Sequence, residues 1–536
     1  AIVATGSFGG SNAFASADSS GTNIVNTKTK AYIENAVNLN ASDIVVTAQN
    51  IANSTLGVGG ISQSKNAVGV SLANNLSTNL VEAYVQGDTN NTNVITADSL
   101  SISARNIYNG SADKKTDDST TENAETSSNA VATTENTGDA NTDTLDSYEE
   151  VLDYLFTNEY DETTAKTVAV GAAIANNTLA GVGSEVLNQI TNTTKAHLDE
   201  GKYSVTGGLS VDAQSEAYIF GLAGGLSAAK NVGIGASVDY EDINITTEAY
   251  VGDKVNVDKA GSITVKAKSI EDITSIAVSA GGGKYFAGAF NAGIHDIKVD
   301  TSAHIGNENA TENDESDIGI IGTNETSTVG KITIEANDNA KLSADTGGGT
   351  LQVSGAGVAS SLGAAVEVLE KNVSAYIGKA NIVANEIDID AINQGEIINT
   401  ASELAIAVSN GVGLSGAASE NFVTQNTEAY VANESQITII ENNSGTSTAD
   451  SNSSDGNSTN NNAIGVNGIS IKAQGNFKSL PVVVGAGVGS LAAGGGAHAY
   501  MDFEGNTSAY VGDDATINAG KKLEILAEND LAVTVG

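Results

Sequence analysis

The chain has 536 residues, with 59 glycines, one proline, no cysteine and no tryptophan, and only 4% of its residues are aromatic. Large side chains are too scarce to fill a globular core, so the interior must be thin and built from Ala, Val, Ile and Leu in stacked sheets. The formal charge of -41 excludes a nucleic-acid-binding role, which requires basic patches, and the lack of cysteine excludes disulfides and thiolate metal sites.

A three-residue slot, Ala followed by Tyr or His and then by Val, Ile or Leu, recurs along the whole chain. Its central residues are Tyr32, Tyr84, His197, Tyr250, His304, Tyr376, Tyr430 and Tyr510. Four of the seven intervals between these residues are nearly equal, and the other three are longer because they contain insertions. This period indicates a repeat array of eight units of roughly 53 residues. We expect the eight rings to form a stacked structural ladder and not a ligand platform.

Two kinds of strand pattern accompany each slot. An alternating stretch such as Ile263-Thr264-Val265-Lys266-Ala267 follows the slot, and a Gly/Ala/Val tract such as residues 482–489 lies between units. We interpret each unit as four short strands that make about two coils, which would give a stack near 80 Å long at about 4.8 Å per coil.

The sequence therefore predicts an all-β fold, an elongated parallel β-helix or β-solenoid that forms a single continuous rod over residues 1–536. A string of small β-sandwiches and a flat array of hairpins are the alternatives. Neither terminus shows the polar cap that protects the open edge of a solenoid. We expect the sequence to be a piece of a longer array, with copies that stack end to end as the alternative.

Three polar insertions interrupt the array, at residues 107–165, 307–328 and 442–462. The first combines an acidic loop with one predicted helix over residues 145–156, whose apolar residues share one face. That insertion is either a displayed binding element or a loop whose apolar side packs back on the rod. The other two predict solvated loops that emerge at the same corner of the rod.

No catalytic motif is present, and we expect no enzymatic activity, no catalytic or metal-binding residue and no cofactor. The phosphate-binding loop and the nucleophile elbow are absent. Of the four histidines, His197 and His304 occupy the ring slot, and His295 and His498 fall in glycine-tract strands. Calcium is the one cofactor that stays open, at three Gly-Asp corners whose simpler role is to form turns. These corners are Gly87-Asp88, Gly252-Asp253 and Gly512-Asp513.

The slot with its Gly-Asp corner, the alternating strand and the Gly/Ala tract together resemble the repeat region of leukotoxin-like filamentous adhesins, very large bacterial exoproteins exported by two-partner secretion. The resemblance covers the chain outside its insertions and rests on a degenerate motif. It implies an extracellular or outer-surface location on a Gram-negative bacterium and attachment to host cells, matrix or other microbes. The amino-terminal secretion domain of that family is not in this sequence.

Two functions remain open. The first is an adhesin whose rod projects binding elements to receptors on host cells, matrix or microbes. The second is a structural filament or surface coat that self-associates end to end through uncapped β ends. A polysaccharide-processing enzyme is disfavoured because tryptophan is absent and the tyrosines are evenly spread. No apolar run is long enough to span a membrane, so we expect neither membrane insertion nor a nucleic-acid partner.

Overall fold

The computed structural model describes residues 1–10, 13–36, 39–88, 94–107, 164–306, 319–322, 328–353, 356–408, 410–440 and 468–534. Over these residues the chain is all-β, with 23 strands and no helix. In chain order the strands are β1 (Ile2–Phe8), β2 (Phe14–Ile33), β3 (Asn40–Asn50), β4 (Ser54–Ser64), β5 (Asn66–Gln86), β6 (Val94–Asn106), β7 (Ala165–Ala175), β8 (Leu179–Asp199), β9 (Gly201–Val205), β10 (Gly208–Ala229), β11 (Val232–Val251), β12 (Val255–Gly283), β13 (Phe286–Ile305), β14 (Gly319–Ile321), β15 (Val329–Gln352), β16 (Val358–Ile377), β17 (Ala380–Ala407), β18 (Val412–Val431), β19 (Gln436–Ile439), β20 (Gly468–Gly489), β21 (Ala492–Val511), β22 (Thr516–Asn518) and β23 (Lys522–Val533).

The strands form two parallel sheets. Sheet II has eight strands in the order β2-β5-β8-β11-β13-β16-β18-β21, and sheet I holds the other 15. The chain passes repeatedly from one sheet to the other: β10 lies in sheet I, β11 in sheet II and β12 in sheet I, with short turns between them. The chain thus winds around an interior enclosed by two parallel sheets, an arrangement consistent with the predicted all-β solenoid class.

Each repeat interval advances the chain by one strand in a sheet. Tyr250 pairs with His197 on one side and with His304 on the other, and β11 stays in register with β8 and β13 along all of its residues. The expected two coils per unit were therefore wrong, because one strand holds both sequence patterns that we had assigned to separate strands. Strand β12 runs unbroken through the alternating stretch and the glycine tract over 29 residues.

This correction changes the expected dimensions. Eight stacked strands at about 4.8 Å span roughly 38 Å along the stacking axis, whereas a strand of 29 residues at about 3.3 Å per residue is roughly 95 Å long. The described coils therefore stack to less than half of the length expected from two coils per unit. Each coil is broad, and the sheets are wider across their strands than they are tall.

In the core half, residues 243–251 of β11 and their aligned neighbours, the inward side chains are mainly apolar and the outward ones mainly polar. On β11 the inward residues are Ile243, Ile245, Thr247, Ala249 and Val251, all buried, and they align with inward residues of β8 and β13. The inward residues of the alternating stretches form one continuous apolar cluster along the stack with the slot residues on either side of each ring, such as Ala249 and Val251. Burial of aliphatic side chains here contributes on the order of 25 cal/mol per Å².

The glycine half consists of residues 232–239 of β11 and 275–283 of β12 with their aligned neighbours. Here the hydrophobic alternation is reversed, so that the apolar side chains face outward. The inward positions of this half are mostly Gly, Ala or Ser, with the buried acids Asp239 and Glu403 as exceptions. An added Cβ at Gly233 or Gly281 would overlap a backbone carbonyl of the facing sheet. The two backbones are in contact there, so no room is left for large inward side chains. The large apolar residues point outward instead, and Phe290 and Leu362 are 38% and 49% exposed.

The longest insertion leaves sheet I in the middle of a coil. Asn106 pairs with Ser215 and Ala165 pairs with Ile219, so the gap on β10 is only three residues wide. In the preceding coil, residues 51–53 fill the same gap between β3 and β4. Nearly all of the predicted insertion 107–165, including its predicted helix, lies outside the described residues.

The other two insertions are described only in part. Within residues 307–328, Gly319–Ile321 form β14, which pairs with β12 and β17, so that this stretch of the predicted loop belongs to sheet I. The predicted loop 442–462 lies outside the described residues.

Close contact between the sheets predicts that glycine is required at inward positions of the glycine half. In Gly281→Ala the added Cβ overlaps the carbonyl of Gly288, so the sheets must move apart, and we expect a loss of roughly 1–3 kcal/mol of stability. Urea unfolding followed by circular dichroism measures this loss. The control is Gly183→Ala, also in a strand, where an added Cβ meets no atom within 4 Å. Equal unfolding midpoints for the two variants would contradict the close approach.

Candidate functional site

The eight slot residues form one stack of rings on sheet II, near the end of each strand. Neighbouring centroids are 4.6 to 5.1 Å apart, and the ring planes differ by 2 to 10°. The spacing matches the distance between neighbouring strands, so the register of the backbone places each ring over the next. Aromatic pairs of this kind contribute about 0.5–1.5 kcal/mol each beyond the burial of their area. The structure thus brings all eight predicted slot residues together.

A column of charged side chains runs beside the first rings, two residues before each slot. Lys30 pairs with Glu82 in the next strand, and Lys195 pairs with Glu248. The signs alternate along the column, so each charge lies next to an opposite charge on a neighbouring strand, as favourable cross-strand pairs require.

The two histidines of the stack are held by these acids. His197 Nδ1 lies 2.7 Å from Asp199 and its Nε2 lies 3.4 Å from Glu82, whereas His304 Nε2 lies 3.5 Å from Glu248. Burial opposes ionisation of Glu248, but hydrogen bonds from His304 and Lys195 prevail and lower the pKa of this carboxyl to about 2. The slot thus holds histidine in place of tyrosine at two positions, 197 and 304, where a carboxylate lies within 3.5 Å of a ring nitrogen.

An acidic groove of about 450 Å³ lies next to the stack and is lined by Asp199, Glu200, Glu248, Asp253 and Gly306, among others. Among the residues that the structure describes, no group of three or more His, Asp or Glu side chains is placed to hold a metal ion. The Gly252-Asp253 corner forms the turn that leads into β12, and the following Lys254 has a φ of 58°.

The interior contains a cluster of charged groups that sequence reasoning missed: Asp239, Glu241, His295 and Glu367, all fully buried. His295 Nδ1 lies 2.6 Å from Glu367 Oε1. The amide of Asn188 donates a hydrogen bond of 2.8 Å to Glu241. Apart from Asp239, these residues occupy one inward column of sheet II, where the apolar core half meets the glycine half. The signal was present, because Asp239 and Glu241 have the same alternation phase as the inward Ile243.

Burial sets the protonation of this cluster. Desolvation raises the pKa of Asp239 to about 6, and desolvation together with the nearby Asp239 raises the pKa of Glu241 well above its ordinary value. Burial disfavours a charged His295, but the carboxylates of Glu367 and Asp239 outweigh it and raise the pKa of this imidazole. The carboxyl groups around His295 thus favour the protonated form of this imidazole.

A second buried cluster contains Lys371, Asp338 and Glu271, each almost fully buried. Lys371 Nζ lies 2.6 Å from Asp338, and it also donates a hydrogen bond to the backbone carbonyl of Gln394. Desolvation and the neighbouring Asp338 raise the pKa of Glu271 well above its ordinary value, which favours the neutral carboxyl. Lys371 thus interacts with two acids, Asp338 and Glu271, and the carboxyl of Glu271 keeps its proton to a higher pH than an exposed carboxyl would.

Neither cluster is accessible to a substrate, because its charged groups are sealed from solvent. Buried ionic groups of this kind can fix one arrangement of a fold, since wrong neighbours would leave a charge unpaired. The histidines do not converge: His197 and His304 lie on either side of Tyr250 in the stack, His295 is inside, and His498 is on the outer surface with a side chain 62% exposed. The arrangement can hold strands in register.

Removal of the buried cation should destabilise the fold far more than removal of a surface cation. Lys371→Met leaves Asp338 buried without its partner, and we expect a loss of roughly 3–5 kcal/mol in urea unfolding at pH 7. In the control, Lys331→Met removes an exposed lysine that pairs with Glu386 and Asp388, and the expected loss is at most about 1 kcal/mol. Similar losses for both variants would show that the buried pair is not important for stability.

The buried carboxyl Asp239 should make stability fall as the pH rises. Its pKa of about 6 lies above the ordinary 3.8, so the folded state binds the proton more tightly than the unfolded state. The stability from this proton is present below pH 3.8 and is lost as the pH rises to about 6, in total roughly 2–3 kcal/mol.

Asp239→Asn cannot lose this proton, so this variant should be more stable than the unmodified chain at pH 7 and should show a flatter stability profile between pH 4 and pH 6. Unfolding midpoints measured across that range test the prediction. The control Asp242→Asn changes an outward carboxylate of the same strand and should leave the profile unchanged. A profile that Asp239→Asn does not alter would exclude this residue as its source.

Comparisons of the chain with protein-family models, with curated proteins and with solved structures gave no match. Within the described part of the chain, no helix has the length and apolar character needed to cross a membrane. What this protein does must therefore be inferred from the packing and chemistry of its own residues.

Proposed function

We propose that this chain is a rod segment of a large extracellular or outer-surface bacterial adhesin, an eight-unit β-solenoid with one helical insertion that acts as a scaffold and not as an enzyme. The observation that carries the proposal is the uninterrupted stack of eight slot rings, one from each successive strand of sheet II. A scaffold that repeats one position in every coil gains length by adding coils, which suits a protein that must hold a binding element away from a cell surface.

The position of the longest insertion supports a display role. Residues 107–164 enter and leave sheet I across a gap of only three residues on β10, and the coils on both sides keep their register. An element of this kind can change its sequence without disturbing the scaffold, as binding loops on rigid scaffolds do. The receptors in this proposal are on host cells, matrix or other microbes, as the resemblance to leukotoxin-like filamentous adhesins implies.

A self-assembling filament or surface coat is the second candidate, because each coil pairs with the next in parallel and in register, and such pairing can also join coils of separate chains.

Removal of the insertion tests the display role. Replacement of residues 107–164 by the three residues Ile51-Ala52-Asn53 reproduces the connection between β3 and β4, so the coils should stay intact. We expect the unmodified chain to bind epithelial cells or matrix-coated surfaces saturably and the deletion variant to lose at least about tenfold in affinity, or about 1.4 kcal/mol. Plate binding with labelled protein measures this loss.

The matched control carries a flexible Gly/Ser segment of equal length in place of residues 107–164. It keeps the length of the insertion and removes its side chains, so its binding should fall as far as that of the deletion variant. Unaltered circular dichroism and thermal unfolding confirm that both variants fold. Non-saturable binding by the unmodified chain, together with growth into fibres as its concentration increases, would replace the adhesin by the structural filament.

A further inference from the structure

The outer surface of the glycine half carries an uncharged face on sheet II, here called the apolar face. It consists of the four outward positions in each of residues 232–238, 286–292, 358–364 and 412–418. No residue at these positions is charged, and Ser360 has the only polar side chain among them. The residues Phe290, Leu362 and Leu414 are between 38% and 49% exposed.

The size of this face is that of a protein interface. The flanking strands extend it with Leu179, Gly181 and Gly183 on one side and with Ala492, Gly494 and Gly496 on the other. Four strands with four outward positions each and two flanking strands with three each, at about 4.8 Å between strands and about 6.6 Å between positions, cover roughly 700 Å². One partner of a stable complex buries about 800 Å², and the largest apolar patch of a typical monomer is about 300–600 Å².

The shape of the apolar face is self-complementary. Phe290 and Leu362 are direct neighbours on β13 and β16 and form a ridge. Beside this ridge a groove of about 560 Å³ runs over small residues that include Ala364, Gly416 and Ala418. A ridge and a groove on one face are what a two-fold symmetric contact requires, because each copy must offer both halves of the fit.

The distribution of charge favours this face for contact between copies. The chain carries -41 formal charges, so two copies repel each other unless they meet where charge is absent. The polar end of the same strands carries ionic side chains such as Lys195 and Glu248, whereas the apolar face has none.

We propose that the apolar face binds the same face of a second copy of this chain, with the Phe290–Leu362 ridge of each copy seated in the small-residue groove of the other. This lateral pairing is independent of the proposed adhesin function and differs from end-to-end stacking, which would use the edge strands β2 and β21.

Sedimentation velocity over a wide concentration range tests the proposal on the full chain. We expect a dimer at high micromolar concentration that dissociates on dilution and persists in 0.5 M NaCl, because salt screens the repulsion between the copies but leaves the apolar contact intact. Phe290→Lys combined with Leu362→Lys places two charges in each ridge and should yield a monomer at every concentration.

The matched control is Ser302→Lys combined with Ser374→Lys, which adds the same charges to outward positions of β13 and β16 outside the apolar face. It should dimerise like the unmodified chain, and both double variants should keep its circular dichroism spectrum. A monomer at all concentrations would overturn the proposal, as would an oligomer that the ridge variant leaves unchanged, which points to stacking through the edge strands. Binding of a monomeric unmodified chain to neutral phosphatidylcholine vesicles would assign the face to lipid and also overturn it.

Discussion

The parallel, in-register pairing of strands one repeat apart is the constraint on which the rest of this structure depends. Once β11 is paired with β8 and β13 without a shift, every residue lies beside its equivalents in the neighbouring coils. Equivalent positions of successive coils then form columns along the stack. Aliphatic columns form the core, ring columns stack, and charged columns alternate in sign.

The change of phase within single strands follows from the same constraint. In the core half the space between the sheets is filled by Ile, Val and Ala, whereas in the glycine half the backbones are in contact. A strand that serves both halves must turn its apolar residues inward at Ile243 and outward at Val238. The result is a coil that is an ordinary sheet sandwich at one end and a thin, externally apolar layer at the other.

The repeat and the ring columns could be predicted from the sequence because strict spacing of one conspicuous residue type survives any error in the placement of strands. The number of coils per unit could not be predicted, because strands of 20 to 29 residues far exceed the usual length and each contains two different sequence patterns. The buried acids escaped notice for a related reason. Asp239 and Glu241 follow a glycine tract, and carboxylates in such a setting are expected at the surface unless the phase is traced back from Ile243.

Arrays of similar coils face a hazard that single domains do not, because any coil can dock on a neighbour that is not its own. The column that runs Glu241, His295, Glu367 differs in charge from coil to coil. If β13 were skipped during assembly, Glu241 would face Glu367 in the interior without the imidazole between them, and two buried acids would compete for one proton. In the native order of coils His295 lies between the two acids, so these ionisable groups distinguish one coil from the next.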